Sequence, residues 1–140
     1  MVRRGPYLRV SDRDQWKGRR DFARAGLAKV ENDLIINDVA GSWSYVVNAA
    51  VLAAIAYGDA LTIRAAGIRN AQDHDALPAT LRAALGNRLP KQQLKHLSDL
   101  LAQKDDSAYG LRSLGRDVAE GAVAKLRVFA AWAEVELATT

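Results

Sequence analysis

A short polar segment in the middle of the chain carries two side-chain types suited to phosphate chemistry. The segment 69–74 reads Arg-Asn-Ala-Gln-Asp-His, so four residues separate Arg69 from His74. A guanidinium stabilises charge on a phosphate, and an imidazole transfers a proton to or from a 2′-hydroxyl or a leaving oxygen. Arg69, Asn70 and His74 are therefore candidate catalytic residues, with Asn70 orienting the phosphate. The alternative is structural: Arg69 pairs with Asp73, and His74 caps a helix or satisfies a backbone group.

Asp59 is the next residue of interest, because it ends a long apolar stretch. A carboxylate buried there needs a partner, for which His74, Lys104 and Arg112 are the candidates. Such a polar network joins the second helix to the following connector and to the end of the fourth helix. We predict that Asp59, His74, Lys104 and Tyr109 come together in space, although Tyr109 can also simply cover the core.

Several catalytic designs are excluded because their residues are missing. The chain has no cysteine, and its two histidines, His74 and His96, are far apart in sequence, so no zinc-site spacing is present. No phosphate-binding glycine loop and no nucleophile-elbow motif occurs. We therefore expect neither a metal nor a cofactor.

The positive charge of the chain is concentrated near its N-terminus. Residues 1–30 contain nine Lys or Arg and three Asp or Glu, whereas the remainder contains eleven and thirteen. Four of these cations recur at helical spacing and predict a basic stripe beside the apolar face of the first helix. We expect this stripe to bind RNA or another polyanion weakly, unless it is a plain solvated face. The stripe consists of Arg13, Lys17, Arg20 and Arg24.

The elements that must position these residues are helical. Apolar residues make up 49% of 140 residues, and helical spacing recurs while strand-like alternation does not. We predict an all-α antiparallel bundle of about five helices in a single domain over residues 11–140, after an N-terminal arm at residues 1–10. The first helix begins near Ser11, the second spans about 42–66, and a short third helix ends at Gly86-Asn87. The fourth begins near Pro90 and precedes a polar stretch at 104–107, and the last runs from about 114 or 116 to 138.

The second predicted helix belongs to an uncharged stretch, Val39 to Gly58, which reaches the minimum length of a membrane span. Its serines, Asn48 and many alanines give it a poor transfer free energy, so we interpret it as the central helix of a bundle with no membrane segment. Its apolar surface also favours a homodimer formed partly by this helix or by the last helix, with a contribution from Trp132.

These features together resemble the HEPN family of small helical bundles, over roughly residues 20–137. The resemblance rests on Asp59-Ala60 in the long second helix, Asp73-His74 before the third, and Lys104 and Tyr109 around the end of the fourth. Ribonuclease members of that family carry an arginine, a polar residue and a histidine at a spacing like that of Arg69 and His74. Their motif usually lies later in the bundle and is followed by an aromatic residue, where this chain has Ala76.

Gly5, Pro6 and charged residues follow Arg3 and Arg4 where a signal peptide needs an apolar stretch, so we expect a cytoplasmic protein. The resemblance implies an association with RNA or with a toxin-antitoxin or stress module. If it is an enzyme, it is a metal-independent endoribonuclease. Its partners would be a second copy of itself and a nucleotidyltransferase-type antitoxin. The alternative is a non-catalytic helical interaction or ligand-binding module in which Asp59, His74, Lys104 and Tyr109 are structural.

Overall fold

The polypeptide forms a helical bundle with one very small sheet. A computed structural model describes residues 7–36, 42–70 and 73–139, and residues 1–6 of the predicted N-terminal arm lie outside this part. The predicted all-α bundle is confirmed. In chain order the elements are β1 (Tyr7–Arg9), α1 (Gln15–Ile36), α2 (Trp43–Ala66), β2 (Ile68–Asn70), α3 (Leu77–Leu85), α4 (Lys91–Leu101), α5 (Lys104–Tyr109) and α6 (Arg116–Thr139).

The central helix is α2. From Val46 to Ile63 nearly every side chain is buried, which agrees with a sequence in which Asp59 is the one charged residue of this range. Although α2 is long and apolar enough to cross a membrane, 83% of its most apolar window is buried inside the bundle, as in the core helix of a soluble protein. The helix ends at Gly67, whose left-handed backbone (φ 66°) lets its N–H bond to the carbonyl of Ile63 at 2.8 Å.

Helix α1 packs antiparallel to α2 at close range. The approach is closest where Gly26 faces Ala53, since a Cβ on Gly26 would lie 3.0 Å from that of Ala53. Nearer the N-terminus of α1, the Arg13 guanidinium donates to the carbonyl of Arg64 at 2.6 Å. Helix α6 also runs antiparallel to α1, because Arg116 at its start donates to the carbonyl of Leu34 at the end of α1.

The small sheet joins the N-terminus to the segment after α2. Strand β1 pairs antiparallel with β2, with Leu8 opposite Arg69 and Tyr7 opposite Asn70. Since side chains alternate along a strand, Asn70 is buried and Arg69 is exposed. The predicted extended arm is thus a paired strand at Tyr7–Arg9, and this pairing holds Arg69 at the end of the bundle where α1 begins.

Two helical boundaries differ from the sequence-based predictions. The polar stretch 104–107 belongs to a short helix, α5, rather than to a connector. Helix α1 begins at Gln15 rather than near Ser11, because the Asp12 carboxylate accepts the N–H of Asp14 at 3.0 Å and forms a turn there.

Candidate functional site

The candidate site is built around the buried carboxylate of Asp59. Asp59 is 2% exposed, and its Oδ2 lies 3.2 Å from the guanidinium of Arg19 on α1. Within the described part of the chain, its second oxygen, Oδ1, has no hydrogen-bond partner. Burial raises the pKa of Asp59 above its ordinary value, and the positive charges of Arg19, Arg69 and His74 oppose that rise.

Arg69 and His74 both lie near this carboxylate but differ in exposure. Arg69 is solvent-exposed on β2, and its guanidinium forms no ion pair or hydrogen bond with another described residue. His74 begins a short 3₁₀ turn, is partly buried, and has a buried Nδ1 with no partner in the described part of the chain. The charges of both side chains act on Asp59. An exposed guanidinium and an imidazole therefore both influence the pKa of the buried carboxyl group of Asp59.

Asn70 does not join this group as a phosphate-orienting residue. Its side chain is 5% exposed, and its Oδ1 accepts a hydrogen bond from the Thr80 hydroxyl at 2.6 Å. The amide of Asn70 is directed into the interior and binds α3, so the structure does not place it beside Arg69 at the surface. Asp73 likewise has a structural partner, since it accepts the backbone N–H of Asp75 at 2.9 Å and caps the 3₁₀ turn of His74.

Lys104 lies beside the site. Its ammonium group is 3.9 Å from Asp75, the residue next to His74, which brings the start of α5 to the connector as predicted. The predicted partnership of Asp59 with Lys104 is replaced by the ion pair with Arg19.

Tyr109 and Arg112 lie elsewhere, so the prediction that Tyr109 joins Asp59 is wrong. Tyr109 is 74% exposed and lines a surface cavity with Tyr45 and Arg112. Tyr45 lies fourteen residues before Asp59 on α2, or about 21 Å along the helix axis. Arg112 lies 3.7 Å from the carboxylate of Asp106 rather than near Asp59. Helix α5 begins beside Asp75 and ends beside Tyr45, near the start of α2, so the direction of the chain separates Tyr109 from Asp59.

Cations of the predicted basic stripe form ion pairs with acidic residues of the chain. Arg24 donates two hydrogen bonds to Glu134, Lys17 lies 3.7 Å from Asp14, and Arg20 contacts Asp21 and stacks on a tryptophan ring. The stripe is therefore largely neutralised by ion pairs within the chain. It lies at the same end of the bundle as Arg69, because β1 leads directly into α1.

Arg19 is the site residue that sequence reasoning missed. It lies between the residues of the basic stripe, so helical spacing alone does not select it. The signal was the pair of small residues Gly26 and Ala53, which marks where α1 and α2 cross closely. In an antiparallel pair of helices, the residue seven positions before Gly26 on α1 lies near the residue six positions after Ala53 on α2. These two residues are Arg19 and Asp59.

The comparisons with known proteins identify no family. No family model matches the chain, and no curated protein is similar to it. Within the described residues, no group of three His, Asp or Glu side chains is arranged to hold a metal ion.

Proposed function

We propose that this protein is an RNA-associated, HEPN-like protein that binds an RNA phosphate at Arg69 and His74 and cleaves RNA there without a metal. The observation that supports this is the grouping of Arg69 and His74 around the buried Asp59 carboxylate. Because Asp59 already pairs with Arg19, the exposed guanidinium of Arg69 has no close partner among the described residues and is available to an external anion.

The chemistry requires only proton transfer and charge stabilisation. The 2′-oxygen of the substrate attacks the adjacent phosphorus, the bond from phosphorus to the 5′-oxygen breaks, and a cyclic phosphate and a 5′-hydroxyl result. His74 removes the proton of the 2′-hydroxyl and returns a proton to the leaving oxygen. Arg69 stabilises the negative charge that grows on the phosphoryl oxygens. Asn70 has no part in this scheme.

The test is cleavage of end-labelled single-stranded RNA in the presence of a chelator. We expect His74→Ala to slow cleavage by about a hundredfold or more, because that is the usual contribution of a positioned general acid or base. His96→Ala is the matched control, since His96 is also partly buried with an unpartnered Nδ1 in the described part of the chain, yet lies on α4. We expect His96→Ala to cleave RNA like the wild type.

Three outcomes contradict the proposal. They are the absence of cleavage by the wild type, cleavage that a chelator abolishes, and equal cleavage by the wild type and His74→Ala. A wild type that does not cleave RNA favours the second candidate function.

The second candidate is a non-catalytic helical interaction module, and the bond between Asn70 and Thr80 favours it. That bond is buried and fixes β2 against α3. Together with the pair between Arg19 and Asp59, it shows polar side chains used to join elements of the bundle. If this candidate is right, His74→Ala changes the free energy of unfolding, and neither the wild type nor the variant cleaves RNA.

The toxin-antitoxin or stress module and the partner are proposed from the resemblance alone, and the cytoplasmic location from the N-terminal sequence. We place the protein in the cytoplasm, within a toxin-antitoxin or stress module, with a nucleotidyltransferase-type antitoxin as a partner. The burial of α2 inside the bundle is consistent with a soluble protein.

A further inference from the structure

A cavity of about 340 Å³ lies between α1 and α6, over the central helix α2. Its apolar lining consists of Leu27 and Ala28 of α1, Tyr57 of α2, and Ala130 and Ala131 of α6. Tyr57 is 1% exposed and forms the floor, whereas Ala28 and Ala131 are exposed and form the rim. We call this space the α1–α6 cavity. Its size and its apolar lining are typical of sites that bind small molecules.

An ion pair between α1 and α6 closes each end of the α1–α6 cavity. At one end Arg24 donates to both oxygens of Glu134, at 2.6 and 2.7 Å. At the other end the Nε of Arg127 donates to Glu31 at 3.0 Å. The two pairs are seven residues apart on each helix, from 24 to 31 and from 127 to 134, or about 10.5 Å along the helix axis. A helix or an extended peptide lying along the cavity would meet both pairs, so the space suits a molecule of about one ring.

Small side chains leave this space open between the two ion pairs. Ala28 lies between them on α1, and Ala130 and Ala131 lie between them on α6. Alanine ends at its Cβ, so neither helix fills the gap, and both pack on α2 instead. Because Ala131 is exposed at the rim, a larger side chain there would occupy the cavity without entering the core.

The charges around the α1–α6 cavity are compensated within the chain. Both oxygens of Glu134 bind Arg24, and one of them also accepts the hydroxyl of Tyr57 at 2.8 Å. Arg127 and Glu31 compensate each other at the opposite end. A charged molecule would lose water on entering and would find no unpaired opposite charge, so the cavity favours a neutral molecule.

Arg127 can also supply a hydrogen bond to such a molecule. Within the described part of the chain, its guanidinium donates one hydrogen bond, from Nε to Glu31. A guanidinium has further N–H groups, and these can bind a neutral acceptor such as an amide carbonyl.

We propose that the α1–α6 cavity binds a neutral, mainly apolar molecule of about one ring that carries a hydrogen-bond acceptor. The inference goes beyond the proposed function and is independent of it, because it uses no residue of the candidate site around Asp59. Binding in this cavity is therefore expected whether or not the protein cleaves RNA.

Three probe molecules of the same shape and different charge test the proposal at pH 7. Benzamide is neutral and carries a carbonyl acceptor, benzoate is an anion, and benzamidine is a cation. Each is titrated into the full, isotope-labelled chain and followed by the amide signals in NMR spectra. We expect benzamide to bind saturably with a Kd of about 1 mM or tighter and to shift the signals of Ala28 and Ala131. We expect benzoate and benzamidine to bind about tenfold more weakly or not at all.

A substitution that fills the cavity locates the binding. Ala131→Phe should weaken benzamide binding about tenfold or more, with an unchanged circular dichroism spectrum, because the new ring occupies the cavity from its exposed rim. Ala124→Phe is the matched control, since Ala124 is exposed seven residues earlier on α6 and lies outside the cavity. It should bind benzamide like the wild type.

Three results would overturn the proposal. A wild type that does not bind benzamide saturably, or equal binding by the wild type and Ala131→Phe, would show that the cavity is not a binding site. Benzoate or benzamidine that binds as tightly as benzamide would show that the site does not select a neutral molecule.

Discussion

A carboxylate that is 2% exposed keeps its charge only if its surroundings compensate for the water it has lost. At Asp59 the compensation is partial. Arg19 lies within 3.2 Å, yet burial raises the pKa of Asp59 by more than the neighbouring cations lower it. The ionised form therefore costs stability, as is common for buried ion pairs.

This balance gives a pH-dependent prediction. Because the native pKa is raised, the folded protein binds more protons than the unfolded chain above pH 3.8, and stability falls as pH rises through the native pKa. We expect Asp59→Asn to remove this loss, so that the unfolding free energy of the variant rises relative to that of the wild type as pH increases above 3.8. Urea unfolding across that range measures the difference.

The matched control is Asp105→Asn, because Asp105 is exposed in α5. Its unfolding free energy should stay within about 0.5 kcal/mol of that of the wild type, as is usual for a surface substitution. A difference between Asp59→Asn and the wild type that is constant with pH would contradict the raised pKa.

For single residues, the sequence pointed to Asp59 but not to its partner, Arg19. An aspartate at the end of an uncharged helix is visible in the sequence, and its need for a cation follows from physical chemistry. The choice of Arg19 depends on how α1 and α2 align, which charge patterns do not reveal. The inward direction of the Asn70 side chain was hidden for a related reason, because it depends on the pairing of β2 with β1.

The helices themselves were largely predictable, since apolar periodicity and glycine or proline boundaries are local signals. The exceptions, α5 and the sheet, are too short for periodicity to show. Close approach between helices is a further element-scale property, and glycines control it here. A Cβ on Gly58 would lie 2.7 Å from the Cδ2 of Leu77, which is fully buried in α3. Gly18 on α1 has no atom within 4 Å of such a Cβ.

Replacing each of these two glycines by alanine should change the unfolding free energy in opposite directions. Gly58→Ala should lower the unfolding free energy by about 1–3 kcal/mol, because Leu77 must move in a packed core. Gly18→Ala should raise it by up to about 1 kcal/mol, since alanine is the better helix former. Chemical unfolding of the two variants beside the wild type measures both. Equal shifts would show that α3 does not pack closely on α2 at Gly58.

For the molecule as a whole, one polar contact joins the three longest of the described helices. The Tyr57 hydroxyl on α2 donates to Glu134 Oε2 on α6 at 2.8 Å, and Arg24 on α1 binds both oxygens of the same carboxylate. The hydrogen bond from Arg24 is the largest influence that lowers the pKa of Glu134. Burial raises the pKa of Tyr57, so its hydroxyl stays a donor. No sequence pattern links these residues, because they meet only after all three helices have packed.

The prediction at this scale is that Tyr57→Phe destabilises the bundle in a pH-dependent way. The ring is retained, so the change removes one hydrogen bond to a charged group, worth about 1.5–3 kcal/mol at pH 7. Because the native pKa of Glu134 is lowered, the stability it contributes is present above its ordinary value of 4.5 and is lost as pH falls through the native pKa. The cost of Tyr57→Phe should therefore shrink in acid, as Glu134 is protonated.

Tyr45→Phe is the control, since Tyr45 is 77% exposed and should change stability by less than about 0.5 kcal/mol. Equal effects of the two substitutions, or a cost for Tyr57→Phe that does not vary with pH, would show that this contact does not hold α1, α2 and α6 together.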